Sequence, residues 1–170
     1  SGTINKDSPS MNVRLKKIVA NKAFDQPKRY VFSKELALDW NAPFFNLPGQ
    51  KVVVTSKRSL PKSARKIKNL SLLNCKSKGR FLDPKNFIEK ISRLQINNIL
   101  LESGPNLLGS FGDVNLIDEF IFYISPEKLG SQAEYFYKGK NKINFFDNEQ
   151  FDIVEETQVG KDKKIVFRKK

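Results

Sequence analysis

The chain has 170 residues, and its 31 lysines and arginines against 18 acidic residues give a net charge of +13. This length predicts one domain, residues 1–170, and the charge favours an anionic partner unless it reflects a general enrichment in lysine. One cysteine and no histidine exclude an intramolecular disulfide, a zinc site and a histidine base. No apolar run reaches the roughly 20 residues of a membrane span, and no signal peptide opens the chain, so we expect a cytoplasmic protein.

The first half of the chain predicts three strands. Residues 1–14 are polar and rich in turn-forming residues. Residues 29–33, 51–56 and 70–74 are β-strand patterns, the second most clearly because valine dominates it. We expect residues 40–49, between the first two strands, to form a loop.

A helix should follow the third strand and a polar turn. Asp83 can cap it, and Pro84 fits its first position, where a missing N–H costs nothing. Four apolar side chains at helical spacing should form its buried face before a stop at residues 97–98: Phe87, Ile88, Ile91 and Leu94. Alternating strands and helices are typical of parallel crossovers.

The centre of the chain predicts a buried strand, a glycine turn and a second helix. Residues 99–101 are consecutively apolar, as in a strand covered on both faces. Gly104 allows a turn with positive φ, and Pro105 suits a helix start. The N–H groups of that helix start would then lie at the carboxyl end of a strand, where they suit phosphate.

The last third predicts antiparallel strands. Residues 116–124 form an apolar strand pattern, and residues 151–159 and 164–168 alternate on either side of a short glycine-containing connection. The sheet is therefore expected to be mixed, with an antiparallel C-terminal edge. Lysines in residues 161–170 either discourage edge pairing or contact phosphates.

Several short motifs follow one another in a distinctive order. They are Gly-Thr-Ile-Asn-Lys-Asp-Ser-Pro at residues 2–9 with Arg14 downstream, Leu-Glu-Ser-Gly-Pro-Asn-Leu at 101–107, Leu-Ile-Asp-Glu at 116–119, Ser-Pro at 125–126 and Leu-Gly at 129–130. In sequence and order they resemble the reductase domain of the bifunctional riboflavin-biosynthesis deaminase/reductase. That family has a dihydrofolate-reductase-like α/β/α fold with a mixed, mostly parallel sheet and an antiparallel C-terminal hairpin.

The resemblance also implies an activity. The family reduces 5-amino-6-(5-phosphoribosylamino)uracil, a phosphorylated pyrimidine-ribose, to its ribitylamino form with hydride from NADPH. In the family a strand, a helix and another strand precede the Gly-Thr motif, and a zinc deaminase domain lies further upstream. The chain is therefore expected to be a C-terminal piece of the reductase domain that lacks part of the pocket, and Ser1 and Gly2 are either native or a cloning remnant.

The resemblance assigns residues to cofactor and substrate, but no catalytic residue and no metal ligand. The implied cofactor-binding residues are Thr3, Asp7, Ser33, Gly104, Pro105, Asn106, Leu107, Leu108, Gly109 and Ser110. Arg14 would grip the substrate phosphate with Met11 beside it, and Glu102 would accept hydrogen bonds from the ribose. Glu102 has a second interpretation, as an acid stabilised by a helix dipole.

Two other functions remain open from the sequence. A nucleic-acid-binding module would use the positive charge and the fourteen phenylalanines, but most phenylalanines sit at core-like positions and no basic-aromatic motif is present. A non-catalytic reductase-like domain could instead serve dimerisation, with residues 116–123 as the edge strand. A homodimer is compatible with the reductase interpretation as well.

Overall fold

Each half of the chain builds a three-stranded sheet of its own. The computed structural model describes residues 9–13, 26–141, 143 and 150–170, in two units, Ser1–Asn98 and Ile99–Lys170. The sheet of the first unit is parallel and that of the second is antiparallel. Within the described residues, no helix is both long and apolar enough to cross a membrane.

The parallel sheet confirms the three strands predicted in the first half. Its strands are β1 (Arg29–Phe32), β2 (Lys51–Thr55) and β3 (Leu70–Asn74), in the order β1-β2-β3. All five residues of β2 are buried, and Val53 and Val54 have no exposed surface. The valine-rich segment is the central strand, and its side chains are covered on both faces, as is usual in a parallel sheet.

The loop predicted between β1 and β2 contains one helical turn, α1 (Pro43–Asn46). Its two phenylalanines, Phe44 and Phe45, are almost completely buried and meet edge to face at 5.2 Å. They form the core of the first unit with Val31 and Val53. A four-residue helix is too short to show a 3.6-residue period, so the loop prediction is wrong at this point.

Two buried cations begin the first two strands. Arg29 and Lys51 are only 2% and 3% exposed and lie side by side in register. The Arg29 guanidinium donates to the carbonyl of Ser10 and lies over the Phe44 ring, while Lys51 Nζ donates to the carbonyl of Leu47 at 2.7 Å. Burial and the neighbouring Arg29 lower the pKa of Lys51. These two charges hold the loop after α1 and are not available to an anionic partner at the surface.

A small hairpin, β4 (Ser77–Lys78) and β5 (Phe81–Leu82), precedes α2 (Pro84–Ile91). The predicted cap is confirmed, because Asp83 Oδ1 accepts a hydrogen bond from the Lys85 amide at 3.0 Å. Phe87 and Ile91 are buried, and the Phe87 ring meets Tyr30 and Phe32 of β1 edge to face. The helix therefore covers the parallel sheet, as predicted.

The end of α2 differs from the prediction. The α-helix ends at Ile91, a 3₁₀ turn spans Ser92–Leu94, and Gln95 is left-handed with φ 53°. Because a 3₁₀ turn rotates each residue by about 120°, the apolar stripe does not continue to Leu94. Leu94 is 48% exposed, so its place in the buried face is wrong.

The prediction of a buried strand at residues 99–101 is also wrong. The segment belongs to no strand, and Ile99 and Leu100 are 48% and 74% exposed. Nothing among the described residues pairs with this segment. Three consecutive apolar residues predict a strand only if neighbouring strands exist on both edges, and the sequence pattern does not report neighbours.

The second unit consists of α3 (Pro105–Gly112) and the strands β6 (Glu119–Ile124), β7 (Phe151–Val159) and β8 (Asp162–Lys169). The strand order is β6-β8-β7, and β7 and β8 form the predicted antiparallel hairpin. The core lies on one face of this sheet. It consists of Phe120, Phe151, Ile165 and Phe167, with Leu108 and Ile117 packed against them.

The only cysteine lies directly after β3. Cys75 is 1% exposed, and its amide donates to the carbonyl of Thr55 at 2.7 Å. Burial raises the pKa of its thiol. Cys75 is therefore a small apolar core residue in this fold.

Candidate functional site

The start of α3 is the part of the predicted site that the structure describes best. Gly104 occupies the N-cap position with φ −69° and ψ 168°, so the turn does not use the positive φ that glycine allows. No side chain caps the helix, and the amide of Leu108 makes the first helical hydrogen bond, to the Gly104 carbonyl at 3.2 Å. The amides of Asn106 and Leu107 therefore precede the helical ladder. Such amides, at the positive end of the helix dipole, can bind an anionic group.

Seven of the ten residues predicted to bind the cofactor lie at the start of α3, and they divide into two groups. The first turn can be reached from solvent, since Asn106 is exposed and Gly104, Pro105 and Leu107 are half-buried. The second turn is used for packing. There Leu108 contacts the core of the second unit, Gly109 is buried, and Ser110 Oγ donates to the Leu107 carbonyl at 2.7 Å.

A segment that the sequence did not single out lies along α3. We call residues 137–141 the strap. The Lys138 amide donates to the Pro105 carbonyl, and Asp113 Oδ1 accepts from the amides of Lys140 and Asn141 at 2.6 and 2.9 Å. A Cβ at Gly109 would lie 2.5 Å from the strap backbone, so glycine is required for this approach. The strap thus fixes both ends of α3.

Glu102 is exposed and lies two residues before the N-cap of α3. This position puts a carboxylate beside the uncapped turn, within the same unit. It is compatible with a contact to a hydroxyl-rich ligand. The second interpretation, an acid stabilised by the positive end of the helix, stays open.

The other predicted site residues lie in the first unit. Ser33 follows β1 and is 4% exposed, and Met11 is half-buried against the first core with φ 45°. The remaining three, Thr3, Asp7 and Arg14, lie outside the described residues.

Several polar side chains lie together at the carboxyl edge of the parallel sheet, and the sequence analysis did not predict them as a site. Thr55 Oγ1 donates to the Lys34 carbonyl at 2.7 Å, and Asn74 Nδ2 donates to the carbonyls of Ser56 and Lys57. Lys57 also forms an ion pair with Glu35 at 2.6 Å. Ligands commonly bind at this edge of a parallel sheet. The signal that could have found it is Ser-Lys-Arg-Ser directly after a valine-rich strand.

A cavity of about 370 Å³ opens near the carboxyl end of α3 in the second unit. Phe120 and Phe151 contribute apolar surface to it, and Asp113, Asn141 and Lys169 contribute polar groups. None of the residues predicted for cofactor or substrate lines it. In the part of the chain that the structure describes, no cluster of three or more acidic, histidine or cysteine side chains could hold a metal ion.

Two curated relatives from Buchnera aphidicola resemble the chain. The 5-amino-6-(5-phosphoribosylamino)uracil reductase of Buchnera aphidicola subsp. Acyrthosiphon pisum is 28% identical over 179 residues, covering 100% of the chain and 84% of that protein. The riboflavin biosynthesis protein RibD of Buchnera aphidicola subsp. Baizongia pistaciae is 41% identical over 98 residues, 58% of the chain and 26% of that protein. The second match therefore spans about a quarter of its relative.

Solved structures share the fold. Acinetobacter baumannii RibD superimposes with a TM-score of 0.80 at 21% identity, over 99% of the chain and 45% of that protein. The deaminase/reductase of Thermotoga maritima gives 0.72 at 18% identity, over 100% of the chain and 44% of that protein. These likenesses confirm the predicted α/β fold of the reductase domain, with parallel strands and an antiparallel C-terminal hairpin. Residues 1–163 match the family described as the RibD C-terminal domain, and the chain belongs to that family.

Proposed function

We propose that the chain is a cytoplasmic NADPH-dependent reductase domain that acts on 5-amino-6-(5-phosphoribosylamino)uracil in riboflavin biosynthesis. The observation that carries the proposal is the uncapped start of α3 with Glu102 two residues before its N-cap. Membership of the family and the name of the Acyrthosiphon pisum relative support the choice of reaction.

The residues present fit a pyridine nucleotide, because the amides of Asn106 and Leu107 are free of helical partners and no side chain competes for them. When bound, NADPH would supply the hydride that reduces the sugar carbon. The first turn of α3 would hold its anionic part, and the second turn would support that turn through packing. Thr3, Asp7 and Ser33 complete the proposed cofactor set.

The substrate would be held mainly by charge and hydrogen bonds. Glu102 would accept hydrogen bonds from the ribose hydroxyls and so orient the carbon that is reduced. Arg14 would bind the phosphate with two parallel hydrogen bonds, and Met11 would lie beside it. With such groups the protein positions the substrate and excludes water, and it needs few acid-base residues.

The substitution Glu102→Gln, made in the full-length enzyme that contains this domain, tests this proposal. We expect turnover to fall about 10- to 100-fold, corresponding to the roughly 1.5–3 kcal/mol of a hydrogen bond to a charged group, with little change in NADPH affinity. NADPH oxidation followed by absorbance gives turnover, and calorimetric titration gives the affinity. The matched control is Asp118→Asn, another exposed acid of the same unit, which should leave both unchanged.

Titration with mixed-sequence RNA distinguishes the nucleic-acid alternative. The reductase proposal predicts NADPH binding and only weak, salt-sensitive RNA binding, as expected for any chain of this charge. Tight RNA binding without any NADPH binding would overturn it. Unchanged turnover in Glu102→Gln would remove Glu102 from the site and would leave the cofactor assignment intact.

A further inference from the structure

Residues 10–13, which we call the anchored segment, are held at both ends by side chains from outside the segment. At one end, the Val13 amide donates to Gln26 Oε1 at 3.0 Å, and Gln26 Nε2 donates to the Val13 carbonyl at 3.4 Å. The glutamine amide thus pairs with one backbone residue through two hydrogen bonds, as two strand residues do in an antiparallel ladder. At the other end, Arg29 Nη1 donates to the Ser10 carbonyl at 3.2 Å.

Arg29 is a firmly placed anchor. It is 2% exposed, its guanidinium lies 5.3 Å from the centre of the Phe44 ring, and it also donates to the carbonyl of Pro48. A buried guanidinium that left these positions would lose hydrogen bonds without regaining water, and such a loss is costly. The Ser10 carbonyl is therefore tied to the core of the first unit.

The second anchor, Gln26, approaches the anchored segment beside Gly49. Gly49 has φ 93°, and a Cβ built on it would lie 2.8 Å from Gln26 Cβ and 3.4 Å from Arg29 Nη2. Glycine is required here because it adopts this φ readily and leaves space for both side chains. The loop before β2 thus accommodates the two anchors together.

Between its anchors, the segment has an unusual backbone conformation. Met11 has φ 45°, in the left-handed region that residues with a side chain rarely occupy, and its side chain packs against the first core. Such a conformation persists where the surrounding structure enforces it, and it is frequent at sites that hold a ligand. The anchors on either side of Met11 provide this enforcement.

We propose that Gln26 and Arg29 are positioning residues for the phosphate of the substrate. They hold the segment that Arg14 follows directly in the chain, and they touch neither substrate nor cofactor themselves. A guanidinium forms two parallel hydrogen bonds to a phosphate only in a defined orientation, so the loss of an anchor should weaken phosphate binding. The inference rests on the proposed function, in which Arg14 binds that phosphate.

The substitution Gln26→Met, made in the full-length enzyme that contains this domain, tests the proposal. Methionine keeps the length of the side chain and removes both hydrogen bonds to Val13. The measured quantity is the ratio of kcat/KM for the substrate to kcat/KM for the same compound without its phosphate. We expect this ratio to fall about fivefold to tenfold through a higher KM for the phosphorylated substrate, with kcat and NADPH affinity unchanged.

The ratio separates positioning from a structural role of the two anchors. A general loss of stability lowers both kcat/KM values together and leaves their ratio unchanged, and that result would overturn the proposal. Gln50→Met is the matched control, because Gln50 is an exposed glutamine of the same unit, and it should leave the ratio unchanged. Arg29→Lys keeps the charge without the planar fork of donors and should lower the ratio as Gln26→Met does.

The variant Arg14→Ala distinguishes the proposal from the function on which it rests. If Arg14 binds the phosphate, Arg14→Ala lowers the ratio, and adding Gln26→Met should lower it no further, because both residues act through the same contact. A further fall in the double variant would overturn the proposal and leave Arg14 at the phosphate. A ratio that Arg14→Ala leaves unchanged would remove Arg14 from the substrate site, and the inference would fall with that assignment.

Discussion

Helices α2 and α3 begin with the same signal, a proline at the first position, and differ in the residue that precedes it. Asp83 caps α2 through a hydrogen bond from the Lys85 amide, whereas Gly104 offers α3 no side-chain acceptor. The Lys85 amide at the start of α2 is thus satisfied by the cap, whereas no side chain occupies the amides at the start of α3, which can serve a ligand. The comparison shows that the residue before the proline decides whether such a helix start is structural or available for binding.

The two helices also pack by opposite means. On α2, the large side chains Phe87 and Ile91 fill the space toward the parallel sheet. On α3, the missing side chains of Gly109 and Gly112 allow the strap to approach the helix backbone. Substitutions that remove buried atoms from α2 should therefore lower the free energy of unfolding. For α3, substitutions that add atoms at the glycines should lower it.

The largest effect is expected from Phe87→Ala. The ring is 1% exposed and meets two aromatic rings of β1, so its loss leaves a cavity that should lower the free energy of unfolding by about 3–5 kcal/mol. Denaturant unfolding followed by circular dichroism measures the change. Lys85→Ala, at an exposed position of the same helix, is the control and should stay within about 0.5 kcal/mol. A similar loss of unfolding free energy in Phe87→Ala and Lys85→Ala would contradict the inference that the Phe87 side chain packs α2 against the sheet.

A smaller effect is expected from Gly109→Ala, which adds one methyl group where α3 meets the strap. Its Cβ would lie 2.5 Å from backbone atoms, so the strap must shift, at a cost of about 1–3 kcal/mol in unfolding free energy. Thermal unfolding and amide exchange of residues 137–141 measure the cost and the shift. Asn106→Ala, an exposed position of the same helix, is the control. If Gly109→Ala raised stability, as alanine does in an unhindered helix, the strap contact would be refuted.

The smallest of these effects is expected from Asp83→Ala, which removes the cap of α2. The loss of the hydrogen bond to the Lys85 amide should lower the free energy of unfolding by about 1 kcal/mol and speed exchange of that amide. Asp83→Asn keeps an acceptor and should cost only a few tenths of a kcal/mol. If both variants lost the same unfolding free energy, the effect would come from the charge of Asp83 and not from its hydrogen bond. The difference in capping between α2 and α3 would then matter less.

Local chemistry predicted the regular elements well. A β-branched run, an Asp-Pro pair and a glycine between alternating segments each determine backbone geometry within a few residues, and β2, α2 and the β7–β8 hairpin are where they were predicted. The buried strand at residues 99–101 failed because its formation depends on neighbours that an apolar run does not specify. Helix α1 was missed because one turn is too short to show a period.

Of the candidate site, the structure confirms the helix start that was predicted from the sequence, and the binding role of its residues stays a prediction. Gly104 and Pro105 signal a helix start from their own conformational limits, and this signal identified the uncapped amides. Gly109 carries no comparable signal, because its partner in space, Lys138, lies far away in the sequence. The family resemblance implies that Gly109 binds the cofactor, which stays a prediction, and in the structure Gly109 lies against the backbone of the strap.

The buried thiol of Cys75 can report how often the first unit opens locally. Cys75 lies at the end of β3, shielded from solvent and with a raised pKa, so a thiol reagent can modify it only when this part of the sheet opens. The labelling rate under native conditions therefore measures how often the parallel sheet opens, without a fluorophore or a mutation. The second unit has no cysteine and therefore contributes no labelling of its own.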